Sequence, residues 1–75
     1  MTKSRQKFVR LAEARTNRTL KDLRLVSNLS NTANYSYNQA DVKKIFNAIE
    51  TEVRRAKQRF LDEMNLNRSD EFTLD

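Results

Sequence analysis

No glycine, proline, cysteine, histidine or tryptophan occurs among the 75 residues of this chain. Glycine and proline are the residues that most often interrupt helices, so their absence favours long, unbroken helices. Histidine and cysteine are common metal ligands and common catalytic bases or nucleophiles, so their absence removes most residue types on which catalysis depends. The sequence therefore predicts an all-α protein with no catalytic residues, no metal site and no cofactor.

The first predicted helix covers residues 2–28. Its apolar side chains recur at steps of three and four, which places them on one broad face at about 100° per residue. Thr16 and Thr19 lie at the centre of that face. They are interpreted as tolerated polar positions in a core, with a close approach of two helix backbones as the alternative. The face consists of Phe8, Val9, Ala12, Thr16, Thr19, Leu20, Leu23 and Val26.

The second predicted helix covers residues 39–65 and has the cleaner pattern. Asn38 is the expected N-cap, and Asp41 stands three residues later, where the acid of a capping box belongs. Glu50 and Arg54 are one turn apart and are predicted to form a supporting ion pair. The apolar stripe consists of Val42, Ile45, Ile49, Val53, Ala56 and Phe60, widened by Phe46 and Met64.

Residues 28–38 predict a polar loop, because Asn, Ser and Thr compete with the helix by bonding to nearby backbone. Asn substitutes best for Gly in left-handed turns, and the candidates are Asn28, Asn31 and Asn34. Tyr35 and Tyr37 are predicted to pack over the open end of a hairpin, or alternatively to form a recognition surface. A short third helix at residues 30–36 is the competing layout.

Two helices of about 26 residues, each about 40 Å long, should fold back on each other as an antiparallel hairpin across this loop. One hairpin buries too little apolar surface for a chain of this size. We therefore expect a homodimer that forms a four-helix bundle. Residues 1–66 are assigned to this domain, and residues 67–75 are expected to be a flexible acidic tail.

The formal net charge of +5 is unevenly distributed. Residues 1–29 carry +6, residues 30–38 carry no charge, residues 39–65 carry +1, and residues 66–75 carry −2. A cationic stripe lies opposite the apolar face of the first helix and predicts contacts with the phosphates of DNA or RNA. A second cluster late in the other helix would converge on it in an antiparallel hairpin. The predicted nucleic-acid-binding residues are Lys3, Lys7, Arg10, Arg18, Lys21, Arg24, Arg54, Arg55 and Arg59.

A second function class stays open beside the first. Charged helix faces are often only solvated surface, in which case the chain is a protein-interaction module. Tyr35 and Tyr37 would then bind a host protein or a protein of a mobile element. Enzyme chemistry is not expected, because paired carboxylates such as Asp62 and Glu63 are helix neighbours that do not face each other. No apolar run approaches the ~18 residues of a bilayer span, so no membrane partner is expected.

Three blocks carry a resemblance: residues 8–15 (FVRLAEAR), residues 25–31 (LVSNLSN), and the Tyr35–Tyr37 segment leading into residues 41–46 (DVKKIF). Across residues 7–60 the chain resembles a group of small uncharacterised helical proteins of Gram-positive bacteria and their mobile elements. The resemblance implies a cytoplasmic setting and a plasmid, phage or transposon origin. The expected hairpin also resembles, in architecture only, plasmid copy-number regulators that bind paired RNA loops.

Overall fold

A computed structural model describes the backbone of residues 2–68 and the side chains of residues 2–65. Within this range the chain forms α1 (Lys3–Ser27), a single 3-10 turn (Asn28–Ser30) and α2 (Gln39–Arg68), with no strand. The all-α prediction is confirmed, and both helices begin within one residue of the predicted positions. The backbone is helical at the first two residues of the expected tail, and residues 69–75 lie outside the described residues.

The start of α1 is capped by Thr2, whose backbone is extended (φ −74°, ψ 159°). The Thr2 hydroxyl oxygen accepts a hydrogen bond from the Arg5 backbone N–H at 3.1 Å, which satisfies one of the free donors of the first turn. Further along, the Thr19 hydroxyl donates to the Arg15 carbonyl at 2.9 Å. Thr19 is therefore accommodated on the apolar face because its own helix supplies its hydrogen-bond partner.

The loop changes direction through a side-chain hydrogen bond and not through the left-handed asparagines that were expected. The prediction of left-handed asparagines is wrong, because no residue that the structure describes has a positive φ. Asn28 stays right-handed (φ −65°, ψ −19°), and the helix tightens into the 3-10 turn. Asn31 then turns the chain. Its side-chain oxygen accepts from the Ala33 N–H at 3.0 Å, and its carbonyl accepts from the Asn34 and Tyr35 N–H groups at 3.1 and 3.0 Å.

The asparagine side chain therefore makes the turn that a left-handed backbone would otherwise make. The competing layout with a third α-helix at residues 30–36 is also wrong, because the helical part of the loop is one three-residue 3-10 turn.

The start of α2 is a reciprocal capping box, as predicted. The Asn38 side-chain oxygen accepts from the Asp41 N–H at 2.8 Å, and the Asp41 carboxylate accepts from the Asn38 N–H at 3.1 Å. Two backbone donors that the helix itself leaves free are thereby satisfied. Asp41 also places a negative charge at the positive end of the helix dipole.

Both apolar stripes lie at the surface of this single copy. The chain divides into two units at Ser36–Tyr37, with α1 in the first and α2 in the second. No described residue is buried in either unit. Phe8 on α1 is 48% exposed and Phe60 on α2 is 58% exposed. The half-buried residues are Val9, Leu11, Ala12, Val26, Ile49 and Thr51.

Candidate nucleic-acid interface

The cationic stripe of α1 lies within one sector of the helix. Its residues span about 32 Å along the axis at 1.5 Å per residue and about 120° around it. Glu13 and Asp22 are the two acids of α1, and both fall outside this sector. All stripe residues are exposed. The α1 stripe consists of Lys3, Lys7, Arg10, Arg18, Lys21 and Arg24.

These six side chains are free to bind an external anion. Across residues 2–65, none of them forms an ion pair or a side-chain hydrogen bond. Like charges spaced three or four apart, such as Lys3 with Lys7, cost an isolated helix a few tenths of a kcal/mol per pair. The α1 stripe therefore concentrates positive charge at some cost to the helix that carries it.

The N-terminal end of α1 strengthens this field. Its first turn contains no acidic residue, and Lys3, Arg5 and Lys7 stand where the helix dipole is already positive. A stable isolated helix is expected to have acids at these positions. Basic residues at the positive end of the dipole therefore oppose the stability of α1. The sequence shows this as a capping threonine followed directly by basic residues.

Arg5 is a basic residue that the predicted set leaves out. Its guanidinium lies over the Phe8 ring, with 5.7 Å between the guanidinium carbon and the ring centroid. This is a cation–π contact on the apolar side of α1, away from the stripe. Its sequence signal is the spacing of three residues between an arginine and an aromatic ring on a helix.

The predicted α2 contacts are dispersed and partly engaged. Arg54 donates to the Thr51 hydroxyl at 3.4 Å, and Arg55 forms an ion pair with Glu52 at 3.1 Å. The predicted pair of Arg54 with Glu50 is wrong, because Arg54 is turned to Thr51 instead. Neighbouring residues diverge by about 100° on a helix, so Arg54 and Arg55 do not share a face.

The third predicted α2 cation, Arg59, lines a shallow surface depression together with Ala56, Phe60, Asp62 and Glu63. Within the described part of the chain, its side chain makes no ion pair. Convergence of the α2 cations with the α1 stripe stays a prediction.

The two loop tyrosines are about half exposed, Tyr35 at 49% and Tyr37 at 43%. The carbonyl of Asn31 holds the Tyr35 backbone N–H and fixes where that residue leaves the turn. Residues 28–40 carry no charged side chain. Both rings are therefore partly exposed in an uncharged, polar segment.

Few groups in the described residues suit chemistry. No cluster of three or more His, Cys, Asp or Glu side chains able to hold a metal ion occurs among them. The carboxylate of Asp62 accepts a hydrogen bond from the Gln58 side chain at 2.9 Å. In the same part of the chain, neither helix has the length and apolar character needed to cross a membrane.

Comparisons of the chain with family models, with curated proteins and with solved structures give no match.

Proposed function

We propose that this chain is a non-catalytic accessory protein that binds nucleic acid through the α1 stripe. The observation that carries the proposal is six exposed cations in one sector of α1, none of them paired within the described residues. Double-stranded DNA carries one negative charge per about 1.7 Å of its axis, with counterions condensed around it. Binding to the stripe releases those counterions, which drives association without reading the base sequence.

The linear form of the stripe favours a polyanion over a small anion. Its cations form two groups, one at Lys3, Lys7 and Arg10 and the other at Arg18, Lys21 and Arg24. The group centres lie about 21 Å apart along the helix axis. A single phosphate reaches one group only, whereas a nucleic-acid backbone reaches both. DNA and RNA both meet this requirement.

The proposal rests on the α1 stripe and not on α2. Arg54, Arg55 and Arg59 remain predicted contacts, but two of the three already engage side chains of their own helix. We expect their replacement to weaken binding less than replacement of stripe residues.

A matched pair of variants tests the proposal. Arg10→Gln/Arg18→Gln removes two stripe arginines, and Arg5→Gln/Arg15→Gln removes two arginines of the same helix that lie off the stripe. Binding to mixed-sequence DNA and RNA is measured by fluorescence anisotropy at several salt concentrations. The stripe variant should lower the slope of log K against log salt by about 2, because each lost phosphate contact contributes about 0.9. The control should keep most of the slope.

Equal loss in both variants would show a diffuse charge effect and contradict a stripe-shaped site. No detectable binding of the unmodified chain at low salt would end the proposal.

The proposal includes a homodimer, with the predicted antiparallel hairpin and four-helix bundle as its architecture. It is supported by the exposure of the apolar stripes and by the absence of any buried side chain among the described residues. Hydrophobic burial is the main favourable term in folding, so a second copy is needed to supply it. The bacterial cytoplasm and a mobile-element origin are proposed from the resemblance across residues 7–60.

The second candidate function is a protein-interaction module that acts through the loop. The observation that favours it is the half-exposed rings of Tyr35 and Tyr37 in an uncharged segment. Pull-downs are made from nuclease-treated and untreated host lysates with the unmodified chain and with Tyr35→Ala/Tyr37→Ala. A protein captured in treated lysate only when both tyrosines are present supports this function. Capture that survives the double replacement places the contact elsewhere.

A further inference from the structure

Part of the apolar stripe of α2 has the spacing of a coiled-coil seam. Between Val42 and Phe60 the steps alternate strictly between four and three residues, so that the pattern repeats every seven residues. This period keeps one face of a helix against one partner helix over its whole length. Val53, near the middle of the seam, is 58% exposed in this copy. The seam residues are Val42, Phe46, Ile49, Val53, Ala56 and Phe60.

The charged residues beside the seam alternate in sign. Lys43, Glu50 and Lys57 lie along one flank at a spacing of seven residues, and Glu52 and Arg59 lie along the other flank with the same spacing. Positions on these flanks set the orientation and register of paired helices through their charges. Each flank therefore carries an acid and a base two helical turns apart.

We propose that α2 pairs with α2 of a second copy in an antiparallel seam, with Val53 level with the partner subunit's Ala56. In this register larger and smaller side chains alternate across the central part of the seam, and Phe46 lies level with the partner subunit's Glu63 beyond it. Phe60 lies level with the partner subunit's Ile49. Ala56, where the surface of α2 is recessed beside Phe60, receives the partner subunit's Val53. Such alternation fills the space between two helices better than facing identical residues.

The charges select this register. In an antiparallel pair each flank of α2 faces the same flank of the partner helix. Glu50 therefore meets the partner subunit's Lys57, and Glu52 meets the partner subunit's Arg59. Two-fold symmetry repeats both contacts, giving four opposite-charge contacts. These pairs form without displacing strong contacts. Among residues 2–65, Glu50, Lys57 and Arg59 make no ion pair, and the Glu52 ion pair with Arg55 is about 70% exposed and weak.

The neighbouring registers are repulsive. A shift by one heptad in one direction places Glu50 against Glu50 and Glu52 against Glu52. A shift in the other direction places Lys57 against Lys57 and Arg59 against Arg59. A parallel pair in register has only the contact of Glu52 with the partner subunit's Lys57 and sets identical seam residues against each other. Repulsion in the alternatives is what makes such a pairing specific.

This inference rests on the proposed homodimer and replaces an evenly shared four-helix bundle with one in which the two α2 helices pair directly. In a four-helix bundle with an evenly shared core, each helix has a different neighbour on each side. In the α2 pair, both flanks of the seam face the second copy. Arg59 is then part of the dimer contact rather than of the nucleic-acid surface, and the α1 stripe is left to bind nucleic acid.

A charge-swap series tests the pairing. Dimer dissociation constants are measured by sedimentation equilibrium at low salt for the unmodified chain, Glu50→Lys, Lys57→Glu and the double variant, with helicity followed by circular dichroism. Each single swap should weaken the dimer about tenfold, because it turns two attractive contacts into repulsive ones. The double variant should return to within about threefold of the unmodified chain. Lys44→Glu makes the same charge change away from the seam and should alter dissociation less than about twofold.

The outcomes separate this pairing from its alternatives. A double variant as weak as Lys57→Glu indicates parallel helices, and single swaps without effect indicate that these flanks do not meet; either result overturns the inference and leaves a dimer standing. A monomer at all concentrations overturns the dimer as well. Nucleic-acid binding by the α1 stripe is decided by its own salt titration.

A distance measurement checks the orientation independently. A spin label at Lys43→Cys, the chain's sole cysteine in that variant, should lie about 35 Å from its copy along the axis of the antiparallel pair. Parallel helices would bring the two labels to within about 20 Å, which would contradict the proposal.

Discussion

The two helices share an amphipathic pattern and differ in what surrounds the apolar face. α1 carries eight basic and two acidic residues, and its stripe cations have no partner among the described residues. α2 carries seven basic and five acidic residues, and some of these pair within the helix. A nearly uniform positive sector suits a polyanion, whereas alternating signs suit a second copy of the same helix. Charge order, rather than apolar periodicity, distinguishes the roles proposed for them.

The two helices also differ in the charge at their N-terminal ends. α2 begins with a reciprocal capping box that places an acid at the positive end of its dipole. α1 begins with one cap from Thr2 and then three basic residues in its first five positions. Local features therefore favour α2 as the stable element and weaken the start of α1. A local conflict of this kind is expected where a surface is kept for binding.

The largest loss of stability is expected when a charged residue is placed in an apolar face, and the two helices should differ in how much they lose. Val53→Asp puts a carboxylate into the α2 seam and should destabilise the assembled protein by about 3 kcal/mol, because the charge loses its water on assembly. Thr16→Asp puts the same group at a position that is already polar and should cost about 1 kcal/mol. Urea unfolding at fixed protein concentration measures both. Equal losses of stability in the two variants would contradict the proposal that the α2 seam is buried in the dimer.

The caps give the next comparison. Asn38→Ala removes the side-chain oxygen that accepts from the Asp41 backbone N–H and should cost about 1 kcal/mol, because asparagine is among the strongest N-cap residues. Thr2→Ala removes the acceptor for the Arg5 backbone N–H and an exposed contact with the Ser4 hydroxyl, and it should cost about half as much because threonine is the weaker N-cap residue. Thermal unfolding of the two variants at equal concentration checks the order. A larger loss for Thr2→Ala would show that α1 depends more on its cap than α2 does.

The helices could be predicted from the sequence, whereas the turn of the loop and the partners of the long side chains could not. The helix faces were predictable because each residue of a helix is rotated by about 100° from the one before. The start of α2 was predictable because Asn38 and Asp41 have the spacing of a capping box. The left-handed asparagines were not, because Asn31 has two ways to turn a chain and uses its side chain. The partner of Arg54 was equally undetermined, since Thr51 and Glu50 are both within reach of a long side chain. That the stripe cations make no ion pair within residues 2–65 could be seen only in the structure, because side-chain pairing on a helix surface is not fixed by spacing alone.

The smallest effect expected is a gain in stability. Lys3→Glu supplies the acid missing from the first turn of α1 and should stabilise the helix by about 0.5 kcal/mol through the dipole. The same change removes a stripe cation and should weaken nucleic-acid binding. Circular dichroism and anisotropy on one preparation measure both quantities. A rise in both stability and affinity would remove the argument that α1 gives up stability for binding.

The division of roles between the helices is tested most directly by titrating salt against two equilibria of the unmodified chain. Between 50 and 200 mM salt, affinity for mixed-sequence nucleic acid should fall about a thousandfold, as expected for six phosphate contacts. Dimer dissociation should change less than about tenfold, because apolar contacts dominate the seam. Nucleic-acid affinity that is insensitive to salt, or a dimer that dissociates in parallel with it, would contradict the account.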